Sequence, residues 1–185
     1  GPWSVSAAAS VCAADIVAPE DVLGHLMALA DKSLVFPAEN DSELRYRFVG
    51  PIGHAARGLF ARCDCYDPTR RRHCDHYLRL SEGAAAASGG PTQDRWQCIL
   101  RAERDDVLAA LAWTVQVADA ESGLRLVTAM STLGAFRSRH AELLSAFEAH
   151  ARTATAVAAD EELRERARAA LGQATTASPC GPGSG

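Results

Sequence analysis

The sequence predicts a mainly α fold with one small β-hairpin, and three observations carry that prediction. Thirty-seven of the 185 residues are alanine, the strongest helix former. Aromatic residues make up only 6%, which leaves an all-β sandwich or barrel short of the side chains its sheets need. Only the stretch 33–49 carries a convincing β signal, with apolar and polar residues alternating along its second half as in a strand pair with one wet face. Alanine also inflates the 48% hydrophobic content. Because it buries little apolar area, thin cores between closely approaching helices are expected.

Taken in order, Ser4 and Ser6 offer caps for a small-residue helix over 4–13, with Val5, Ala8, Ala9 and Cys12 on one face. Pro19, Glu20 and Asp21 suit a first helical turn, where a missing N–H is harmless and negative charge matches the helix dipole. That helix should run to Asp31 and bury Val22, Leu23, Leu26, Met27, Leu29 and Ala30. Strands over 33–36 and 44–49 then flank a polar loop, and Leu44, Tyr46 and Phe48 should pack on the preceding helices while Arg45 and Arg47 face water. Two or three short helices followed by a hairpin give the outline of a winged helix.

From Pro51 onward everything reads as helix, over 51–62, 68–88, 92–103, 104–118, 121–134, 137–155 and 160–173. Breaks fall at Asp67-Pro68, at Gly89-Gly90-Pro91, near Asp119 and near Gly134, and short connections make neighbours antiparallel. The expected architecture is a winged-helix-like portion over 1–62 with its hairpin at 33–49, then antiparallel helical hairpins forming a tetratricopeptide-like superhelix over 63–173. A disordered tail is expected over 174–185, which has no periodic apolar face.

Charge and composition narrow the function. The formal net charge is -4, and of 19 basic residues only Lys32 is a lysine. A broad basic footprint for nucleic acid is therefore missing, and no direct nucleic-acid contact is expected. No run of 18 apolar residues occurs, so no membrane span is expected. Six cysteines scattered through the chain favour a reducing, cytoplasmic setting over a secreted disulfide framework. There is no G-x-x-x-x-G-K-[ST] loop, and no second helix-turn-helix with a basic recognition helix.

Several stretches in series resemble one family. The leucine-rich helix from Val22 leading into Asp31, Lys32, Ser33 and Leu34 is similar to the approach to that family's wing. Arg45, Tyr46, Arg47 and Phe48 resemble the strand that ends the wing. Residues 71–78, Trp96, 103–113 and 122–126 resemble the helices that follow. These are landmarks of LuxR and AfsR-like bacterial transcriptional regulators of the STAND ATPase class. The chain departs from the family at Val49-Gly50-Pro51-Ile52-Gly53 and at Asp106.

The resemblance implies a non-enzymatic regulatory segment, the end of a switch domain and the start of a sensor array, cut from a longer protein. It implies no cofactor in this segment, with ATP bound upstream in the full-length protein. It implies as partners the ATPase domain of the same longer chain and a protein or small-molecule effector. The hairpin would serve as a wing for intramolecular docking, because Glu39, Asp41 and Glu43 make its loop acidic and disfavour a DNA backbone.

The sharpest local chemistry is Cys63 and Cys65 with His73, Cys74 and His76. His73 and His76 share a helix face, so a Cys2His2 zinc site formed by Cys63, Cys65, His73 and His76 is the alternative reading, a stand-alone interaction module. One residue between the paired cysteines is shorter than usual zinc spacing, and incidental cysteines beside a helix-start histidine are the favoured reading. Arg70, Arg71 and Arg72 read as a solvated face. Ser33, Glu43 and His54, like the cysteines, lack an elbow or oxyanion motif to make a nucleophilic site. Trp96 and Trp113, with Leu100, Leu108, Leu111 and Val115, are expected in the core. No catalytic, cofactor or metal residue is assigned.

Overall fold

A computed structural model describes residues 1–13, 17–38, 44–133, 136, 140–156 and 161–176. The acidic loop residues Glu39, Asp41 and Glu43 lie outside the described residues. The helices and strands are β1 Trp3–Ser4, α1 Val5–Cys12, a 3-10 turn Pro19–Asp21, α2 Val22–Asp31, β2 Val35–Ala38, β3 Arg45–Phe48, α3 Gly50–Phe60, α4 Tyr66–Ala86, α5 Gln93–Gln116, α6 Ala120–Thr132, α7 His140–Ala156 and α8 Glu161–Thr176. The chain is thus mainly α with one small antiparallel sheet. It divides into two compact units, Gly1–His76 and Tyr77–Gly185.

In the first unit the expected hairpin is joined by a third strand, giving the order β1-β3-β2 with all pairs antiparallel. β1 was unreadable in the sequence because it is two residues long and abuts α1. Ser4 closes the strand and also caps α1, its Oγ accepting the N–H of Ala7 at 3.0 Å. Ala8, Val22, Leu26, Val35 and Tyr46 form the core beneath the sheet, with Trp3, Val5 and Leu29 around it.

Only Tyr46 of the expected trio enters that core, since Leu44 and Phe48 stay 51% and 39% exposed. Leu44 precedes the paired part of β3, and Phe48 sits at its far end, against Trp3 (ring centroids 4.8 Å apart) and Gly53 at the start of α3. Arg45, expected to face water, is instead buried, its Nε and Nη2 donating to the Pro2 carbonyl at 3.3 and 2.7 Å. The addition of β1 covers that side of the central strand.

Two helix ends in the chain share one device. At the end of α2 the N–H of Leu34 donates to the Leu29 carbonyl and that of Ser33 to Ala30, with Ser33 at φ 58°. At the end of α5 the N–H of Asp119 donates to Thr114 and that of Ala118 to Val115, with Ala118 at φ 57°. Both are Schellman closures in which a non-glycine residue occupies the left-handed position.

In the second unit each of α5 and α6 packs on the next helix and the next but one, and α7 packs on α8, as in stacked helical hairpins. The expected break between 103 and 104 does not occur. α5 is a single helix of 24 residues, because Glu103 and Arg104 are good helix formers and no glycine or proline interrupts them. Its core contributions are Leu100, Val107, Leu111 and Trp113, whereas Val115 is 39% exposed rather than buried. Leu124, Val127 and Met130 of α6 and Leu143 of α7 are fully buried. The Gly89 to Pro91 break is realised between α4 and α5, with Gly89 at φ +80° and its N–H donating to Gln93 Oε1. α8 extends to Thr176, so the expected tail is helical over its first three positions; residues 177–185 lie outside the described residues.

Candidate functional site

The second unit carries a groove of about 760 Å³ lined from α4, α6 and α8. Its walls follow helical spacing. Glu82, Ala85 and Ala86 share one face of α4. Glu121, Arg125, Thr128 and Ala129 run as an i, i+4, i+7, i+8 stripe on α6, and Glu162, Leu163 and Arg166 close the groove from α8. Ala85, Ala86 and Ala129 are among the lining residues, and their small side chains leave room for the opening.

Arg125 fixes the geometry at one end. Its Nε and Nη2 donate to Glu82 Oε1 and Oε2 at 2.8 and 3.0 Å, a forked pair joining α6 to α4. Its Nη1 lies 3.6 Å from Glu121 Oε1 one turn earlier. The hydrogen bonds it donates to Glu82, reinforced by the charges of Glu82 and Glu121, hold the guanidinium pKa above its already high ordinary value. Since both partners are more than a third exposed, the fork contributes at most about 1 kcal/mol of stability. Its main effect is to hold two charges in one orientation.

Behind the groove lies a buried polar centre. His150 of α7 is 1% exposed, with Nε2 3.1 Å from Thr114 Oγ1 on α5. The Thr114 hydroxyl gives its one proton to the Leu111 carbonyl at 2.7 Å, so the ring must donate from Nε2. Burial pushes the imidazole pKa down, opposed by the charge of Asp119. Gly123 of α6 faces this ring so closely that a Cβ there would fall within it. About three turns before Thr114 on α5, Glu103 is also buried and accepts from the Tyr77 hydroxyl at 3.0 Å. Asp119 caps α6, accepting the N–H of Ser122.

The residues singled out in the sequence do not converge. Cys63 and Cys65 are joined as a disulfide at the corner between α3 and α4. Cys74 is fully buried, and His73 and His76 lie partly buried along α4. Among the described residues, no group of three or more His, Cys, Asp or Glu side chains is placed to hold a metal ion. The zinc alternative at Cys63, Cys65, His73 and His76 is therefore corrected: the four side chains are not grouped around one point, and in this oxidised state Cys63 and Cys65 are bonded to each other.

The three arginines are not a uniform solvated face either. Arg72 donates from Nε to the Val11 carbonyl at 2.8 Å and from Nη2 to Thr69 Oγ1 at 2.9 Å, tying α4 to α1, while Arg71 pairs with Asp75 one turn along. Ser33 is a helix closure, His54 is exposed on α3, and Glu43 lies outside the described residues. Trp96 lies partly buried against Gly83, and neither Trp96 nor Trp113 lines the groove. The groove residues were missed because each reads alone as an ordinary surface charge or a small helix residue; only the i, i+4, i+7 stripe of α6 signalled them.

The groove presents the carboxylates of Glu82, Glu121 and Glu162 and the guanidinium groups of Arg125 and Arg166 beside alanine side chains. The chain is 28% identical over 149 residues to proteins named as HTH-type transcriptional regulators in Mycobacterium bovis and in two strains of Mycobacterium tuberculosis. The alignment covers 80% of this chain but 16% of each relative. The chain thus spans about a sixth of the length of the curated relatives it matches. No family model matches it, and no solved structure is detectably similar. Among the described residues no helix is long and apolar enough to cross a membrane.

Proposed function

We propose that this chain is a non-catalytic regulatory segment of a bacterial transcriptional regulator of the LuxR-like STAND class. In this reading the first unit is a winged-helix-like docking module for an ATPase domain, and the second begins a tetratricopeptide-like sensor array in the cytoplasm. The observation that carries the reading is the similarity to transcriptional regulators along 80% of the chain, joined to stacked helical hairpins that present an open charged groove. The groove is the place where a protein or small-molecule effector would act, by binding one arrangement of the longer protein better than another.

Phe36, 44% exposed on β2, supports the docking role as an apolar side chain that the sheet presents outward. A net charge of -4 is poorly suited to holding a phosphate backbone. The test is genetic. Deleting the coding segment for this chain at its native locus should change a reproducible set of transcripts, and a profile identical to the parent strain would overturn the regulatory reading. A gel shift separates the roles in vitro: the purified chain should leave duplex DNA unshifted at low salt, and a salt-dependent shift would replace docking with direct DNA contact.

A further inference from the structure

The corner between α3 and α4 holds a feature that the regulatory reading does not use. Cys63 and Cys65 are bonded through Sγ with one residue between them, Cα atoms 5.1 Å apart, and both are exposed. The corner around them is built. The N–H groups of Arg62, Cys63 and Tyr66 donate to the carbonyls of Leu59, Phe60 and Cys63, and that of Thr69 to Cys65, so Cys65 sits at the cap of α4. The rings of Phe60 and Tyr66, the last residue of α3 and the first of α4, lie against each other with centroids 4.9 Å apart.

We propose that Cys63 and Cys65 form a reversible redox site that exchanges with dithiols and disulfides and sets the stiffness of this corner. Three properties support it. The bond closes a very short loop, so it restricts the unfolded chain little and adds little stability that would resist reduction. Both sulfurs are accessible to an attacking thiolate. The thiolates released by reduction meet favourable groups where they stand: the N–H of Cys65 already points at Cys63 Sγ at 3.2 Å, and Cys65 lies at the positive end of a 21-residue helix. The other described cysteines are elsewhere, Cys12 on α1, Cys74 buried in α4 and Cys98 on α5.

The chemistry balances as thiol–disulfide exchange. A thiolate of the external dithiol attacks one cysteine sulfur, the Cys63–Cys65 bond breaks, and a mixed disulfide forms. The second external thiolate then displaces that cysteine. Two electrons and two protons pass to Cys63 and Cys65, and the external dithiol becomes a disulfide. The reverse path runs with a disulfide of the glutathione type as oxidant.

Peptide mapping of maleimide adducts on the native, air-equilibrated chain tests the bond, with dithiothreitol and then oxidised glutathione as probes. Cys63 and Cys65 should be unlabelled before reduction, both labelled after brief dithiothreitol treatment without denaturant, and protected again by oxidised glutathione. Labelling of both without reductant, or reduction only after unfolding, would overturn the proposal. Hydrogen exchange reads the consequence: amides of 62–69 should exchange on the order of tenfold faster in the reduced chain, and Cys63→Ser should show the faster exchange with no reductant. Equal exchange in oxidised and reduced protein would remove the switch.

Discussion

Gly123 and His150 are predicted to act as one packing pair, and Gly123→Ala is the perturbation that exposes it. His150 is 1% exposed and its nearest ring atoms occupy the space a Cβ on Gly123 would need. Alanine in place of this glycine in the first turn of α6 would by itself favour the fold by up to about 1 kcal/mol. Against that, forcing a methyl group into a filled site costs roughly 1–3 kcal/mol. A displaced ring also gives up its hydrogen bond to Thr114, about 0.5–1.5 kcal/mol. The net expectation is a loss of roughly 1–3 kcal/mol. In a His150→Ala background the obstacle is gone, and Gly123→Ala should turn neutral or stabilising, a coupling of about 2–4 kcal/mol. Urea unfolding followed by far-ultraviolet circular dichroism gives both numbers, with unchanged m-values as the check on the comparison. Equal costs of Gly123→Ala in the two backgrounds would refute the reasoning.

Three further outcomes are expected. Ala118→Gly should stabilise the chain by about 0.5–1 kcal/mol in the same assay, because Ala118 holds φ 57° in the left-handed position of the α5 closure where glycine carries no steric penalty; a loss of stability would contradict the closure described. Tyr77→Phe removes the donor to the buried Glu103 and should cost about 1.5–3 kcal/mol, with an unchanged urea midpoint as the contrary result. His150 should make stability pH-dependent. Its native pKa is lowered by burial, so above the unfolded pKa of roughly 6.5 the ring is neutral in both states and its contribution is complete. As pH falls below that value the unfolded chain takes up a proton that the native chain refuses, and stability declines by up to about 1.4 kcal/mol per pH unit until the native ring titrates. His150→Gln should flatten this part of the pH profile, and a slope equal to that of the parent would contradict the assignment.

The parts of the fold legible in the sequence were those with a long or strict period. Alanine content and helical spacing located the helices of both units, and the alternation of Leu44, Tyr46 and Phe48 located β3. What remained hidden depended on partners distant in sequence or on unusual residue choices. β1 is defined only by pairing with Tyr46 and Arg45 more than 40 residues away. The ends of α2 and α5 are closed by Ser33 and Ala118, where a glycine would have announced them. Arg45 reads as a solvent residue in any alternating strand, and only the third strand buries it. The groove was hidden for a related reason, since Glu82 and Arg125 are 43 residues apart and each has the usual look of a helix surface. The cysteine pair stood out in the sequence as soft ligands near two histidines, but its one-residue spacing spoke against a metal and gave no sign of the bond that the corner makes.

The most direct test of the account is a block of the groove in the living cell. Thr128 lies in the α6 stripe that lines it, with Ala129 and Arg125 beside it, and Thr128→Arg places a long charged side chain across the opening at a position compatible with helix. The measurement is the transcript profile of a strain carrying Thr128→Arg at the native locus, at parental protein level, beside the deletion strain. The account predicts that the variant loses effector-dependent control and reproduces the transcript changes of the deletion. A parental profile in the variant, with the deletion profile altered, would contradict the assignment of the groove as the sensing surface.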